Sequence, residues 1–584
     1  MEYVYFLNCD CVLSSIELFD LFHAFRISTT CIQYRSYLFA IKHNRKKHFE
    51  QQMIFNFPSY ANRYYQLKSL TLNEYDDLNY ISTSIKKLYL DDSLENDSGE
   101  KTDHYMHLLN LTHVTNIHTK DTISIDILNN LTFLKKLTLS GKNSYSDHVD
   151  KSLPNLVNLE SFVSSYKRLS FCVSIFNTLT KLTRLATNFY ISIDSGNIVF
   201  DTLNQLKILK MFDIAIYRSV LIILPTTLEK FSMKMDRPIS QIKHNIYELP
   251  KLTKLILQIS THDMTNIRKL TGLKILKIRL IKNILKKSDF SRQYIRNDMI
   301  KSELPSDIFT LTQIESLSLS CVKHEGHTKN FKLFTQLTSL TLNYVKIDNF
   351  HLFVNIKILR LKYCALDCVF SLYNMNQLEE LHLILYQFNL SNMFPRNVDF
   401  LTCLNIKCLY GKRNSKIDLK KLIYLKRLTA KHHDKIKHLS TLTNLNYLKI
   451  KSDEPSSVNL INMINLTKLK ASNYLCESIE RLVKLKILKL HQCINNTFEW
   501  TTLINLEKIT LKNRNELNLL FLTRLSRLFK LDINTGVDDV SIFEKLTSLK
   551  YFIVNNKCTE ILNLSSHTMS RVRRLYKNDD DVEE

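Results

Sequence analysis

The phrase Leu-x-x-Leu-x-x-Leu-x-Leu recurs along this chain over about residues 60–560, and it leaves few folds open. It stands complete at Leu131, Leu134, Leu137 and Leu139, at Leu249, Leu252, Leu255 and Leu257, and at Leu482, Leu485, Leu488 and Leu490. Phe334 opens the phrase that runs through Leu337, Leu340 and Leu342, and Ile509 fills the third slot after Leu503 and Leu506. Taking the penultimate apolar residue as a marker gives 22 repeats between Leu70 and Phe552, with Leu409 as the marker between Leu381 and Leu428. Most steps are 18 to 25 residues; the exceptions are 88 to 117, 381 to 409 and 276 to 317. The last step spans 41 residues, two periods, and holds either a decayed repeat or an insertion.

The spacing carries a physical reading. The last two apolar residues of each phrase are two apart, so they share one face of a short strand, while the earlier two bring the chain down onto it. One repeat cannot bury its own leucines, but stacked neighbours build a continuous core. At ~4.8 Å between strands, 22 repeats would extend roughly 100 Å along the strand edge. The expectation is an α/β solenoid: a curved rod with a parallel sheet on its concave side and short helices outside.

On this phrase and period, about residues 60–560 resemble the leucine-rich-repeat family. That family places Asn or Cys three residues after the last strand leucine, where the side chain satisfies backbone groups in the turn. Cys364 and Cys493 match that slot, whereas Val345, Asp453, Arg514 and Lys557 do not. Irregular turns are therefore expected.

The segments flanking the repeats read differently. Residues 1–60 lack the phrase and form an expected helical cap, with apolar residues at Ile16, Leu18, Phe19, Leu21, Phe22 and Phe25. Ser14 and Glu17 have capping-box spacing. The run from Asp20 to Cys31 resembles the middle of an F-box, without its Leu-Pro opening and tryptophan. The whole arrangement is similar to intracellular leucine-rich-repeat proteins of amoebal protists. That resemblance implies a second reading, a substrate receptor of a ubiquitin ligase whose adaptor would meet Leu21, Phe25, Ile27 and Cys31. The repeats occupy residues 61–564, with a basic stretch at 279–304 that is either a loop or a decayed repeat. Residues 565–584 form an expected tail, in which Arg571, Arg573, Arg574 and Lys577 precede the acidic end.

Composition narrows the chemistry. Seven glycines and eight prolines in 584 residues leave no phosphate loop, dinucleotide fingerprint or nucleophile elbow, and no zinc-protease motif occurs. The chain reads as a non-catalytic protein without cofactor or metal. The adjacent His432 and His433 belong on a turn, and the single tryptophan, Trp500, belongs between repeats. Twelve scattered cysteines fit a reducing compartment. No signal peptide and no apolar run of membrane-spanning length is evident. Cytoplasmic residence is the expectation, with nuclear entry left open by the basic cluster.

Charge indicates where binding belongs. The formal charge is +24, and five acids lie in the last six residues, so the remainder carries +29. Residues beside and between the strand leucines cannot enter the core and would line the concave face. In the five repeats marked by Leu448, Leu469, Leu488, Ile509 and Leu531, those fifteen sites hold eight lysines and one acid. With 80 Lys and Arg in 584 residues, fifteen random sites would hold about two. The candidate partner-binding residues are Lys449, Lys451, Lys468, Lys470, Lys489, His491, Lys508, Lys512 and Lys530. Lys210, Lys277, Arg360 and His382 hold equivalent middle sites further back and would extend the strip. An acidic protein ranks first as partner, ahead of nucleic acid or anionic lipid, because lysine lacks arginine's planar fork and aromatics are sparse. The competing reading is a lysine-biased solvated face.

Overall fold

A computed structural model gives the fold. It describes residues 69–72, 86–90, 113–119, 125–140, 153–165, 173–190, 198–200, 202–215, 220–235, 242–259, 264, 266–280, 306–320, 328–347, 353–366, 372, 374–385, 400–408, 417–431, 436–491, 500–512, 520–533, 542, 545–549, 551–554 and 573–576. The expected cap and adaptor residues Leu21, Phe25, Ile27 and Cys31 lie outside these, as do most of 279–304, the His432–His433 pair and the acidic end. The chain divides into two compact units, Met1–Ile314 and Glu315–Glu584.

Each unit is a parallel ladder of the leucine-rich-repeat type. Among the described residues, the first holds ten ladder strands, from Ser69–Leu72 to Ile275–Leu280. The second holds thirteen, from Ser316–Ser320 to Arg573–Tyr576. Marker pairs with marker: Leu137 with Phe162, Leu255 with Leu276, Leu340 with Leu359, Leu469 with Leu488. A one-residue slip would turn every leucine out of the core, so burial itself sets this register.

Two assignments differ from the phrase. Leu404, not Leu409, pairs with both Leu381 and Leu428, so the steps become 23 and 24 residues. Leu404 and Ile406 have the two-residue spacing of a strand pair within the strand Cys403–Cys408. Arg573–Tyr576, within the segment expected to be a tail, pairs in parallel with Tyr551–Val554. The expected outer helices are nearly absent among the described residues: one α-helix, Ile125–Asn130, accompanies short 3-10 turns such as Ile479–Arg481.

The core is a leucine stack. In one repeat Leu482, Leu485 and Leu488 are fully buried and Leu490 is 4% exposed. Each such side chain contributes about 1.5–3 kcal/mol relative to exposure. Trp500 is buried against Phe521 with ring centroids 4.5 Å apart, the inter-repeat position expected for it.

Polar columns hold successive repeats together. At the third position of the phrase, the amides of Asn158, Asn355, Asn444, Asn465 and Asn505 donate to carbonyls of the preceding repeat at 2.8–3.0 Å. Their oxygens accept from the following repeat: Lys181 Nζ on Asn158 at 2.6 Å, Lys484 Nζ on Asn465 at 2.7 Å, and Arg527 on Asn505 at 2.8 Å. At the fifth position, the hydroxyls of Thr183, Thr253, Thr338 and Thr402 donate to the Glu carbonyl of the preceding repeat. Lys–Glu pairs join neighbouring repeats there at 2.9–3.4 Å, as in Lys135–Glu160 and Lys486–Glu507. These exposed pairs contribute at most about 1 kcal/mol each. Cys364 fills the slot beyond the strand, its thiol donating to the Leu342 carbonyl at 3.4 Å, while Val345 is buried there as an apolar residue. With glycine scarce, left-handed turn positions fall to Tyr344, Tyr363, His438 and Ser478, at φ of 54–61°.

Candidate functional site

The face of the ladder opposite the leucines carries three columns of side chains, built by the alternation of each strand. In the second unit the middle column of the strands from Ser316–Ser320 to Lys530–Ile533 reads Ser318, Thr341, Arg360, His382, Asn405, Thr429, Lys449, Lys470, Lys489, Thr510 and Asp532. Three lysines are thus direct register neighbours, Lys449 with Lys470 and Lys470 with Lys489. The column to one side runs Lys468, Ile487, Lys508 and Lys530 on successive strands. The other side places Lys451 beside Lys431, and His491 beside Lys512. Lys451 is exposed; the other lysines and His491 are half-buried. All nine candidates therefore lie on one face.

No described acid forms an ion pair with Lys449 or Lys489. Aromatic faces receive the flanking cations: Lys468 Nζ lies 5.3 Å and the Arg427 guanidinium 5.7 Å from the Tyr447 ring centroid, and Lys508 Nζ lies 5.3 Å from that of Phe529. Burial holds the Tyr447 phenol above its usual range, so it remains neutral beside both cations. Arg427 was missed by sequence reasoning because its repeat was left outside the strip; its signal is the first strand site of a complete phrase, Leu422, Leu425 and Leu428.

The basic character does not extend as expected. Arg360 and His382 both meet Glu380, at 3.2 and 3.4 Å, and Asn405 bonds the other ring nitrogen of His382 at 3.4 Å. Burial lowers the His382 pKa below its usual value, against the raising effect of Glu380, so the ring is neutral near pH 7. In the first unit, Lys210 and Lys277 are separated by Ser232 and Ile256 on the intervening strands. The continuous strip belongs to the repeats of Lys449 through Lys512, with Lys530 at its margin and Asp532 after Thr510 in the middle column.

Cys403 lies beside Glu380 and Arg427 in register, but burial raises its thiol pKa, which disfavours the thiolate a nucleophile needs. Among the described residues no group of three or more His, Cys, Asp or Glu is placed to hold a metal. No described helix is long and apolar enough to cross a membrane.

No protein-family model and no curated protein matches the sequence. Solved structures do. The chain is similar to a plant peptide hormone receptor, RGFR1 in complex with RGF2, at 12% identity and a TM-score of 0.35 over 88% of this chain and 96% of that one. It is also similar to the functional domain of InlJ from Listeria monocytogenes, which includes a cysteine ladder, at 15% identity and a TM-score of 0.32 over 74% and 76% of the two chains. The fold assignment rests on this chain's own register: parallel strands one repeat apart, marker against marker, form a leucine-rich-repeat solenoid in each unit.

Proposed function

We propose that this chain is a non-catalytic binding scaffold whose lysine strip receives an acidic segment of a protein partner. The observation that carries this reading is the register run of Lys449, Lys470 and Lys489. Like charges held on adjacent strands repel, and a carboxylate-bearing chain lying across them removes that repulsion. A protein segment is favoured over nucleic acid because the strip offers point charges rather than planar forks for phosphate. Its aromatics, Tyr447 and Phe529, are already covered by cations and leave no free stacking platform.

The test is fluorescence anisotropy with a labelled polyglutamate peptide, an RNA oligonucleotide of equal charge and phosphatidylserine vesicles. Wild type is compared with a variant carrying Lys449→Glu, Lys470→Glu, Lys489→Glu and Lys508→Glu, after circular dichroism shows that both fold. Salt-sensitive binding of polyglutamate, lost in the variant, supports the reading. Equal polyglutamate binding by both proteins, or a preference of wild type for RNA or vesicles, overturns it.

A further inference from the structure

The second position of the phrase lies on the rim that leads into each strand, and a hydroxyl fills it in about half of the described repeats. Thr132, Thr271, Thr312, Thr335, Thr443 and Thr547 all stand there, each exposed. Val157, Val354 and Ile423 place a single exposed aliphatic there, and three successive repeats place one in each. Ile464, Val483 and Ile504 occupy the position at 52%, 46% and 55% exposure, and Thr443 before them and Ser526 after them close the run. Isolated exposed aliphatics are ordinary on a protein surface. These three are not isolated, because their strands are consecutive, with Leu469 paired to Leu488 and Leu488 to Ile509. At the ~4.8 Å spacing of parallel strands they make one ridge roughly 10 Å long.

The same three repeats carry Lys468, Lys470, Lys489, Lys508 and Lys512 on their strands. Among the described residues, the run of successive aliphatics at this position therefore falls in the repeats of the basic strip. We infer that the ridge and the strip form one recognition surface, and that its ligand is an acidic peptide segment interspersed with aliphatic side chains. This inference rests on the acidic-partner reading and adds the apolar half of the ligand. Charge complementarity decides against a second copy of the same surface, which would bring lysine against lysine. A bilayer is disfavoured because the ridge has no Trp, Phe or Leu, the side chains that interfacial anchoring uses.

The substitution that tests the ridge is supplied by the chain itself, since threonine is what neighbouring repeats place there. The full chain carrying Ile464→Thr, Val483→Thr and Ile504→Thr is compared with wild type against two labelled peptides of equal charge. One is Glu-Glu-Leu repeated four times and the other Glu-Glu-Ser repeated four times. Wild type is expected to bind the leucine peptide about tenfold more tightly or better, the scale of a methylene-sized apolar contact. The triple variant is expected to bind both peptides as wild type binds the serine one. Retention of the preference by the triple variant, or its absence in wild type, overturns the ridge. The quadruple lysine variant reports separately: equal loss for both peptides upholds the strip, and unchanged binding removes the strip while the threonine comparison still judges the ridge. Wild-type self-association or sedimentation with phosphatidylserine vesicles, lost in the triple variant, would reassign the ridge to that occupant and overturn the peptide ligand.

Discussion

A strip of register-adjacent lysines should weaken the unliganded protein, and the size of that effect follows from the ladder. Replacing Lys449 and Lys489 by glutamine leaves Lys470 with no lysine beside it in the middle column, removing two register contacts at once. Ammonium groups at the ends of splayed side chains on strands ~4.8 Å apart lie ~6 Å from one another. At that separation each pair repels by about 0.7 kcal/mol in a water-like dielectric. The two pairs together amount to about 1.4 kcal/mol at low ionic strength, and screening at ~0.15 M, where the Debye length is about 8 Å, roughly halves this. Glutamine keeps the buried stem, so little packing is lost. The assay is urea unfolding of both proteins at about 20 mM and about 500 mM NaCl, conditions either side of that screening length. The double variant should have the higher midpoint at low salt, and the difference should shrink at high salt while polyglutamate binding falls. A variant less stable than wild type at low salt, or a salt-independent difference, would refute the repulsion from which the binding surface was argued.

Three further outcomes are expected. Asn505→Ala removes the bond to the Val483 carbonyl at 2.8 Å and the acceptor for Arg527; it should lower stability by about 0.5–1.5 kcal/mol and speed amide exchange in that repeat and its neighbour, whereas unchanged exchange would mean that the column does not couple repeats. The folded-state pKa of His382 lies below its usual 6.5, burial being the main cause. Its contribution to stability is present above that value and declines as pH falls through the folded pKa, because the unfolded state takes up the proton first; His382→Gln should flatten this part of the stability profile, and an NMR titration placing the pKa above 6.5 would contradict it. Burial pushes the Cys364 thiol up to about 12, while Cys403 is half-exposed. Alkylation of the native protein at pH 8 should mark Cys403 before Cys364, and the reverse order would show that Cys364 is not buried as described.

The ladder itself was legible in the residues, because burial of regularly spaced leucines admits one strand register and one set of outward positions. That is why Lys449, Lys470 and Lys489 could be placed on one face from spacing alone, and why a leucine-rich-repeat architecture was expected before any coordinates. What spacing could not supply is anything that depends on the loop length between repeats or on a partner one strand away. The marker at 409 was displaced to Leu404 because the variable loops leave the phrase free to be read in two frames, and only pairing with Leu381 and Leu428 chooses between them. Arg573–Tyr576 carries too few leucines to show the phrase, yet the open backbone of Tyr551–Val554 takes it as a strand. The asparagine column lies one position before the second apolar residue, a slot whose value appears only when the preceding repeat's carbonyls come within bonding distance. Arg360 and His382 read as basic in isolation; Glu380, on the same strand as His382 and on the strand next to that of Arg360, neutralises one and holds the other. Apolar periodicity is a local property and survives in the sequence, whereas net charge at a surface is set by neighbours about twenty residues away, and those are brought together only by the stacking of repeats.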